Sequence, residues 1–234
     1  MEGKSNGAGA LRFLILFLFL TSSVTAEDPR TELGDERVVL QTSMGDIEVA
    51  FFPKLAPITA AHILKLFKLG CYNSNHFFRV DKGFVAQIAD VVGGRQVQLD
   101  ARQLEEGDKA IPGETTDVPH VRGILSMARH DDPNSGKSSF SILLGNAPHL
   151  DGNYAIFGRV IRGDEVLARM ELVETTTEGI FVMPKERITI LSTYVYSVNG
   201  EGDEVSSEGR LRKLEDLASE TVSFLERFVS RGGS

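Results

Sequence analysis

The sequence predicts a mainly-β domain, a closed barrel or a sandwich, with two helices able to cover the ends of its sheet. Three observations support this. Short apolar and β-branched runs recur along most of the chain, separated by Gly-, Pro- and Asp-rich turns. Only two stretches between residues 38 and 196 carry helical periodicity. The order is hairpin, helix, strands, helix, strand, which lets two helices plug one closed sheet.

Residues 38–42 and 46–52 read as two strands joined by a turn at Ser43-Met44-Gly45. In the second, Ile47, Val49 and Phe51 alternate with Asp46, Glu48 and Ala50, the period of a strand covering a core. Pro53 and Pro57 stop that strand and set up a helix over residues 56–69. There Ala60, Ile63, Leu64, Phe67 and Leu69 recur at helical spacing, Lys65 and Lys68 face outward, and Gly70 ends the run.

Residues 77–90 form one or two strands broken at Gly83, and they hold a lone cation, Arg79, among Phe77, Phe78, Val80, Phe84 and Val85. Such an arginine either snorkels to the surface or sits at the rim of an apolar pocket to grip a polar group. Residues 93–122, rich in Gly, Asp, Glu and Pro, read as a long excursion with little regular structure. Short strands follow at 123–128 and 138–144 around the polar loop 129–137, then a strand at 155–160 and a helix at 165–172. A closing strand spans 186–196, with Ile188, Ile190, Tyr194 and Tyr196 at even positions.

The ends differ from this body. Lys4 and Arg12, the apolar run 13–20 and the small residues Val24-Thr25-Ala26 make residues 1–26 read as a secretory signal peptide. The run is short of the ~20 residues that span a bilayer; a retained anchor is the alternative. This implies a secretory-pathway protein of the endoplasmic reticulum, Golgi or exterior. The closing Arg231-Gly232-Gly233-Ser234 is not an ER-retention tetrapeptide. Residues 27–37 read as a flexible lead-in, 38–197 as the domain, and 198–234 as a linker with an amphipathic helix. In that helix Leu211, Leu214, Ala218, Val222, Leu225 and Val229 share one face. The face either docks on the domain's own surface, self-associates or fills a partner groove.

Composition narrows the chemistry. The 234 residues are 41% apolar and 25% charged, as in a soluble globular protein, and the net charge of -8 argues against a general nucleic-acid binder. The single cysteine, Cys71, forms no internal disulfide and no Cys-based zinc site, and is expected in the core. The five histidines lack ligand spacing, so no metal site is expected.

Taken in order, the motifs resemble the cyclophilin family of peptidyl-prolyl cis-trans isomerases over residues 38–197. The carriers are VVLQTSMGDIEVAFFPKLAPITAAHI from Val38, FFRVDKGFVAQ from Phe77, GILSMA from Gly123 and LDGNYAIFGRV from Leu150. The resemblance implies an eight-stranded antiparallel barrel capped by two helices. It also implies catalysis of X-Pro bond rotation in client chains without a cofactor, as a folding helper or chaperone, with proline-containing peptides and unfolded proteins as partners.

By this resemblance Arg79 stabilises the twisted amide and Gln87 orients it. Phe84 and Val85 line the proline pocket with Leu150 and Tyr154 opposite, while Ala128 and the backbone of Arg129 grip the residues before proline. The chain departs from the family pattern at several positions. Phe78 stands for the usual His. Ser139 and Ser141 stand for a Gln and a Phe, removing an amide that holds peptide and the aromatic pocket floor. His149 stands for a Trp, which implies weak cyclosporin binding at most. Tyr154 stands for a common His, and Ile88-Ala89-Asp90 for Gly-Gly-Asp, which implies a differently shaped turn. The alternative function is a barrel that docks proline segments with little or no turnover.

Overall fold

A computed structural model describes residues 28–179 and 181–198; the expected signal peptide and C-terminal helix lie outside them. Ten strands and four helices follow one another in these residues. They are β1 (Glu36–Thr42), β2 (Gly45–Phe51), α1 (Pro57–Lys68), β3 (His76–Asp81), β4 (Val85–Ile88), α2 (Val91–Gly94) and α3 (Ala101–Gly107). After these come β5 (Ile124–Met127), β6 (Phe140–Leu143), β7 (Ile156–Arg162), α4 (Asp164–Met170), β8 (Thr175–Glu178), β9 (Phe181–Pro184) and β10 (Ile188–Ser197).

Eight strands close into an antiparallel barrel in the order β1-β10-β3-β4-β6-β5-β7-β2. Closure removes every open edge, which an antiparallel sheet otherwise has to protect. One face of each strand fills the interior. Val38, Leu40, Ile47, Val49, Phe77, Val80, Ala86, Ile88, Leu125, Phe140, Ile142 and Phe157 belong to one buried cluster. The two expected helices complete it: α1 contributes Ala60, Ile63, Leu66 and Phe67, and α4 contributes Val166, Leu167 and Met170.

Phe140 is fully buried and meets the edges or faces of Phe67, Tyr72 and Phe157, at centroid distances of 6.2, 5.7 and 5.5 Å. Cys71 is wholly buried, as expected of a core thiol, and burial pushes its pKa up to about 11.

A second, smaller apolar cluster lies on the outer face of the barrel. Val85, Ile124, Leu143 and Ile156 alternate with the interior residues of β4, β5, β6 and β7, and Phe52 and Ala147 join them. Phe84, Val118 and Leu150 pack against this cluster, so this face is apolar where most barrel exteriors are polar.

Three parts differ from the sequence reading. Residues 28–35, expected as a flexible lead-in, make a 3-10 turn at Pro29–Thr31, tied down by Arg30 to Asp28 and Asp117 and by Gly34 N–H to the Phe51 carbonyl. The excursion at 93–122 contains α3, whose start is a capping box: Asp100 accepts from the Gln103 N–H, and Gln103 returns a bond to the Asp100 N–H. The strands β8 and β9, turned at the positive φ of Gly179, form a separate two-stranded hairpin beside β3 that the periodicity did not indicate.

Truncating the central ring should expose how far this core depends on it. Phe140→Ala is expected to lower unfolding free energy by about 3–5 kcal/mol, measured by urea denaturation. A loss under about 1 kcal/mol would mean the neighbouring rings collapse into the space.

Candidate functional site

The strands β3, β4, β6 and β5 lie side by side, and their registers line up four polar side chains in one row. Arg79 pairs with Gln87, Gln87 with Ser141, and Ser141 with Ser126. Directly paired residues on one face stand about 4.5–5.5 Å apart at Cβ. One strand-period away runs an apolar row, in which Val85 pairs with Leu143. The polar row and the apolar cluster therefore share one outer face.

A cleft of about 600 Å³ opens over this face. Of the residues expected at the site, Arg79, Phe84, Val85, Gln87, Ala128, Arg129, Ser139, Ser141, Leu150 and Tyr154 all line it. His149 does not; its ring packs against Phe84 at 5.3 Å and backs that ring from outside.

Arg79 reaches the cleft because β3 carries a bulge. Register shifts by one residue between Phe77 and Arg79, so Phe77 and Val80 both face inward and Arg79 faces out. Asp81, two residues on, accepts from Arg79 Nη2 at 3.0 Å. The guanidinium lies 5.1 Å from the Phe84 ring centre and 5.9 Å from that of Phe181. Its Nε is buried and, among the described residues, has no hydrogen-bond partner.

Gln87 was expected to orient Arg79. It stands opposite it in the ladder, yet its amide donates to Ser139 Oγ at 3.2 Å, and the ion pair that holds Arg79 comes from Asp81. Ser139 in turn donates to the Ile88 carbonyl at 2.7 Å. Its short side chain thus fixes Gln87 to the β4 backbone. The Ile88-Ala89-Asp90 turn ends in an N-cap: Asp90 accepts from the Val92 N–H and receives the Ser138 hydroxyl.

Across the cleft, Arg129 lies 4.6 Å from the Tyr154 ring centre and donates to the carbonyls of His130, Asp131 and Asn153. This braces the far wall. The Ala128 N–H bonds the Ser139 carbonyl at 3.1 Å, which extends the β5–β6 ladder to the lip of the cleft.

Besides Asp81, sequence reasoning missed two contributors. The first is Phe181, delivered by the β8–β9 hairpin, whose ring contacts Phe78 at 5.6 Å. The second is a relay beneath Ser126: His120 Nε2 is 3.0 Å from Ser126 Oγ, and His120 Nδ1 is 2.8 Å from Asp151 Oδ1. The Asp151 carboxylate also accepts the His120 N–H at 2.7 Å, which together with the ring contact holds its pKa below the usual carboxylate range.

Burial pushes the His120 pKa below the ordinary imidazole range, against the upward pull of Asp151. At neutral pH the ring is therefore uncharged. Its one N–H belongs on Nδ1, facing the carboxylate, and Nε2 accepts from the Ser126 hydroxyl. His62 and His76 shift in the same direction, also through burial.

Three comparisons with known proteins bear on this face. The family model described as cyclophilin type peptidyl-prolyl cis-trans isomerase matches residues 37–195. A relative from Arabidopsis thaliana, peptidyl-prolyl cis-trans isomerase CYP23, is 57% identical over 210 residues, covering 88% of this chain and 93% of its own. A probable peptidyl-prolyl cis-trans isomerase of Brucella abortus is 32% identical over 183 residues, 76% of this chain and 91% of its own. Among solved structures, a cyclophilin type isomerase of Cryptosporidium parvum superposes with TM-score 0.59 at 27% identity, covering 70% of this chain and 99% of its own. A second crystal structure of that protein, in the presence of the dipeptide Ala-Pro, gives TM-score 0.58 at 27% identity over 69% of this chain and 99% of its own.

The three depressed histidines set the acid side of stability. Above pH ~6.5 they are neutral in both folded and unfolded chains. As pH falls below that value the unfolded chain takes up protons first, so stability drops. Carboxylates with lowered pKa act only in a lower window, below about pH 4.5. The urea midpoint is expected to fall from pH 7 to pH 5, and His120→Gln to show a shallower fall than wild type. Equal slopes would show that His120 does not titrate in this window.

Proposed function

We propose, for a chain that belongs to the cyclophilin-type peptidyl-prolyl cis-trans isomerase family, that Arg79 is its catalytic residue and that the row beside Arg79 positions the substrate. The reaction is rotation about an X-Pro bond, whose barrier of about 18–20 kcal/mol comes from partial double-bond character. No bond to substrate is needed. As the amide twists, the prolyl nitrogen regains its lone pair and becomes a hydrogen-bond acceptor. A donor aimed at it favours the twisted state over both planar isomers, and only such differential binding accelerates the step.

The observation that carries this reading is the state of Arg79: ion-paired through Nη2 to Asp81, with a buried and unpartnered Nε–H. An unsatisfied buried donor is costly unless a ligand completes it. A guanidinium suits the task because it stays charged and its fork can hold the prolyl carbonyl as well. Asp81 and the rings of Phe84 and Phe181 restrict it, so little reorganisation is required as the bond twists.

Phe84, Val85, Leu150 and Tyr154 form the apolar walls that receive the ring. Ala128 and the backbone of Arg129 hold the residues before proline at the end of the β5–β6 ladder. Gln87, anchored by Ser139, presents its amide to the peptide backbone rather than to Arg79. The Cryptosporidium structure determined with Ala-Pro supports proline-containing peptides as ligands. The alternative of a docking module with little turnover is not favoured by any of the relatives described, which are named as isomerases.

Unfolded clients of the secretory pathway are the substrates this reading extends to, with residues 1–26 as a cleaved address; sequencing the amino terminus of protein secreted from a eukaryotic host would test the cleavage. Cyclosporin binding is expected to be weak, since His149 packs behind Phe84 instead of lining the cleft.

The catalytic assignment predicts that Arg79→Ala lowers kcat/KM on an Ala-Pro peptide by about 100- to 1,000-fold, with unchanged unfolding midpoint. NMR exchange or a protease-coupled assay reads this. A wild-type rate no faster than the variant's would overturn the assignment.

A further inference from the structure

The floor of the cleft is polar where a proline ring offers only carbon. Ser126 and Ser141 are direct cross-strand partners on β5 and β6, and both line the cleft. Ser141 Oγ has no hydrogen-bond partner among the described residues and is half-buried. Ser126 is almost wholly buried, 3% exposed, and its hydroxyl hydrogen is committed to His120 Nε2. That ring is neutral and gives its own hydrogen to Asp151, so Ser126 Oγ, on a residue that lines the cleft, is left able only to accept. The floor thus holds one fixed acceptor and, beside it, one free hydroxyl able to donate. Around them stand the apolar side chains of Phe84, Val85, Met127 and Leu150.

We infer that this pocket is matched to prolyl rings bearing a hydroxyl at C4, so that X-(4-hydroxyproline) bonds are its preferred substrates. This rests on the isomerase reading given above. In a pyrrolidine ring C4 lies opposite the N–Cα bond, so a ring whose main chain is held at Arg79 sends C4 farthest into the pocket. A hydroxyl there donates to Ser126 Oγ and accepts from Ser141 Oγ. An unsubstituted ring leaves both serines facing methylene groups or holding trapped water, and a site built to bond a substrate hydroxyl disfavours the analogue that lacks it. Serine at position 141 also supplies room, because it stands where the family pattern has a phenylalanine ring.

The relay makes the preference directional. The neutral His120 ring fixes which way the Ser126 hydrogen points, so the floor presents an acceptor to the ring substituent. A C4 fluorine shares the electron withdrawal of a hydroxyl but cannot donate to that acceptor. It separates hydrogen bonding from altered ring pucker.

The test is NMR exchange on three matched peptides carrying Ala-Pro, Ala-(4R)-hydroxyproline and Ala-(4R)-fluoroproline, each rate taken relative to its uncatalysed rate. Wild type is expected to show kcat/KM at least about fivefold higher for hydroxyproline than for proline, with fluoroproline close to proline. Ser141→Ala should reduce the ratio toward one. Ser141→Phe should invert it, raising the rate on proline while closing the space above Ser126. Acceleration of Ala-Pro with no hydroxyproline preference, or a preference that survives Ser141→Ala, overturns this inference and leaves the isomerase reading standing. Acceleration of none of the three peptides overturns both.

Discussion

One extra residue in β3 decides what this barrel can do. Regular alternation would send Phe77 and Arg79 to the same side, the barrel interior, where a guanidinium would have to be buried among Val49, Phe140 and their neighbours. The bulge between Phe77 and Arg79 breaks that period, keeps Phe77 and Val80 inside, and turns the arginine onto the outer face. Every other part of the site is placed relative to that turn. Asp81 regains the outward side two residues later and pairs with the guanidinium. Phe84 follows the Gly83 turn, at a φ of 72° that favours glycine, and brings its ring to within 5.1 Å of the charge.

Once Arg79 faces out, antiparallel register does the rest. The row Arg79, Gln87, Ser141, Ser126 crosses four strands drawn from two separate stretches of the chain, 76–88 and 124–143, and it needs no loop to hold it. A site on a closed ladder is rigid, since moving one member means shearing a strand against two neighbours. The apolar row beside it supplies the walls. The polar and apolar halves of the cleft are consequences of one alternation, read on the outside of the barrel.

The same geometry explains what was legible in the sequence. Strand and helix positions were, because alternation in β2 and the 3-4 spacing in α1 are local. The side chains around Arg79 were, through motifs that keep their order. The partner of Arg79 was not: Asp81 lies two residues away, and only strand alternation past the bulge shows that it shares the face. The His120 relay joins residues 120, 126 and 151, which no local period connects. The β8–β9 hairpin carries no apolar alternation, since its first strand is Thr175–Glu178, half-buried to exposed; it is legible only in the turn at Gly179. The capping box of α3 was present in the sequence as Asp100 and Gln103, three apart, inside a stretch whose composition resembles a loop.

The serines at 139 and 141 have different physical meanings, although both shorten a larger side chain of the family pattern. Ser139 makes two bonds, accepting from Gln87 and donating to the Ile88 carbonyl, and so replaces reach with anchorage. Ser141 makes none among the described residues. A buried aromatic there would have covered Ser126 and sealed the relay behind it; with serine there, Ser126 alone of the relay lines the cleft and His120 stays buried behind it. Burying the Asp151–His120–Ser126 chain under an apolar ring would be a purely structural use of it. Leaving it uncovered puts a fixed, neutral acceptor at the bottom of a pocket whose other end holds a fixed cation. The pocket therefore has a polar row running from the cation to that acceptor and an apolar row beside it, and a ligand that fits it must carry polarity at both ends of its polar edge.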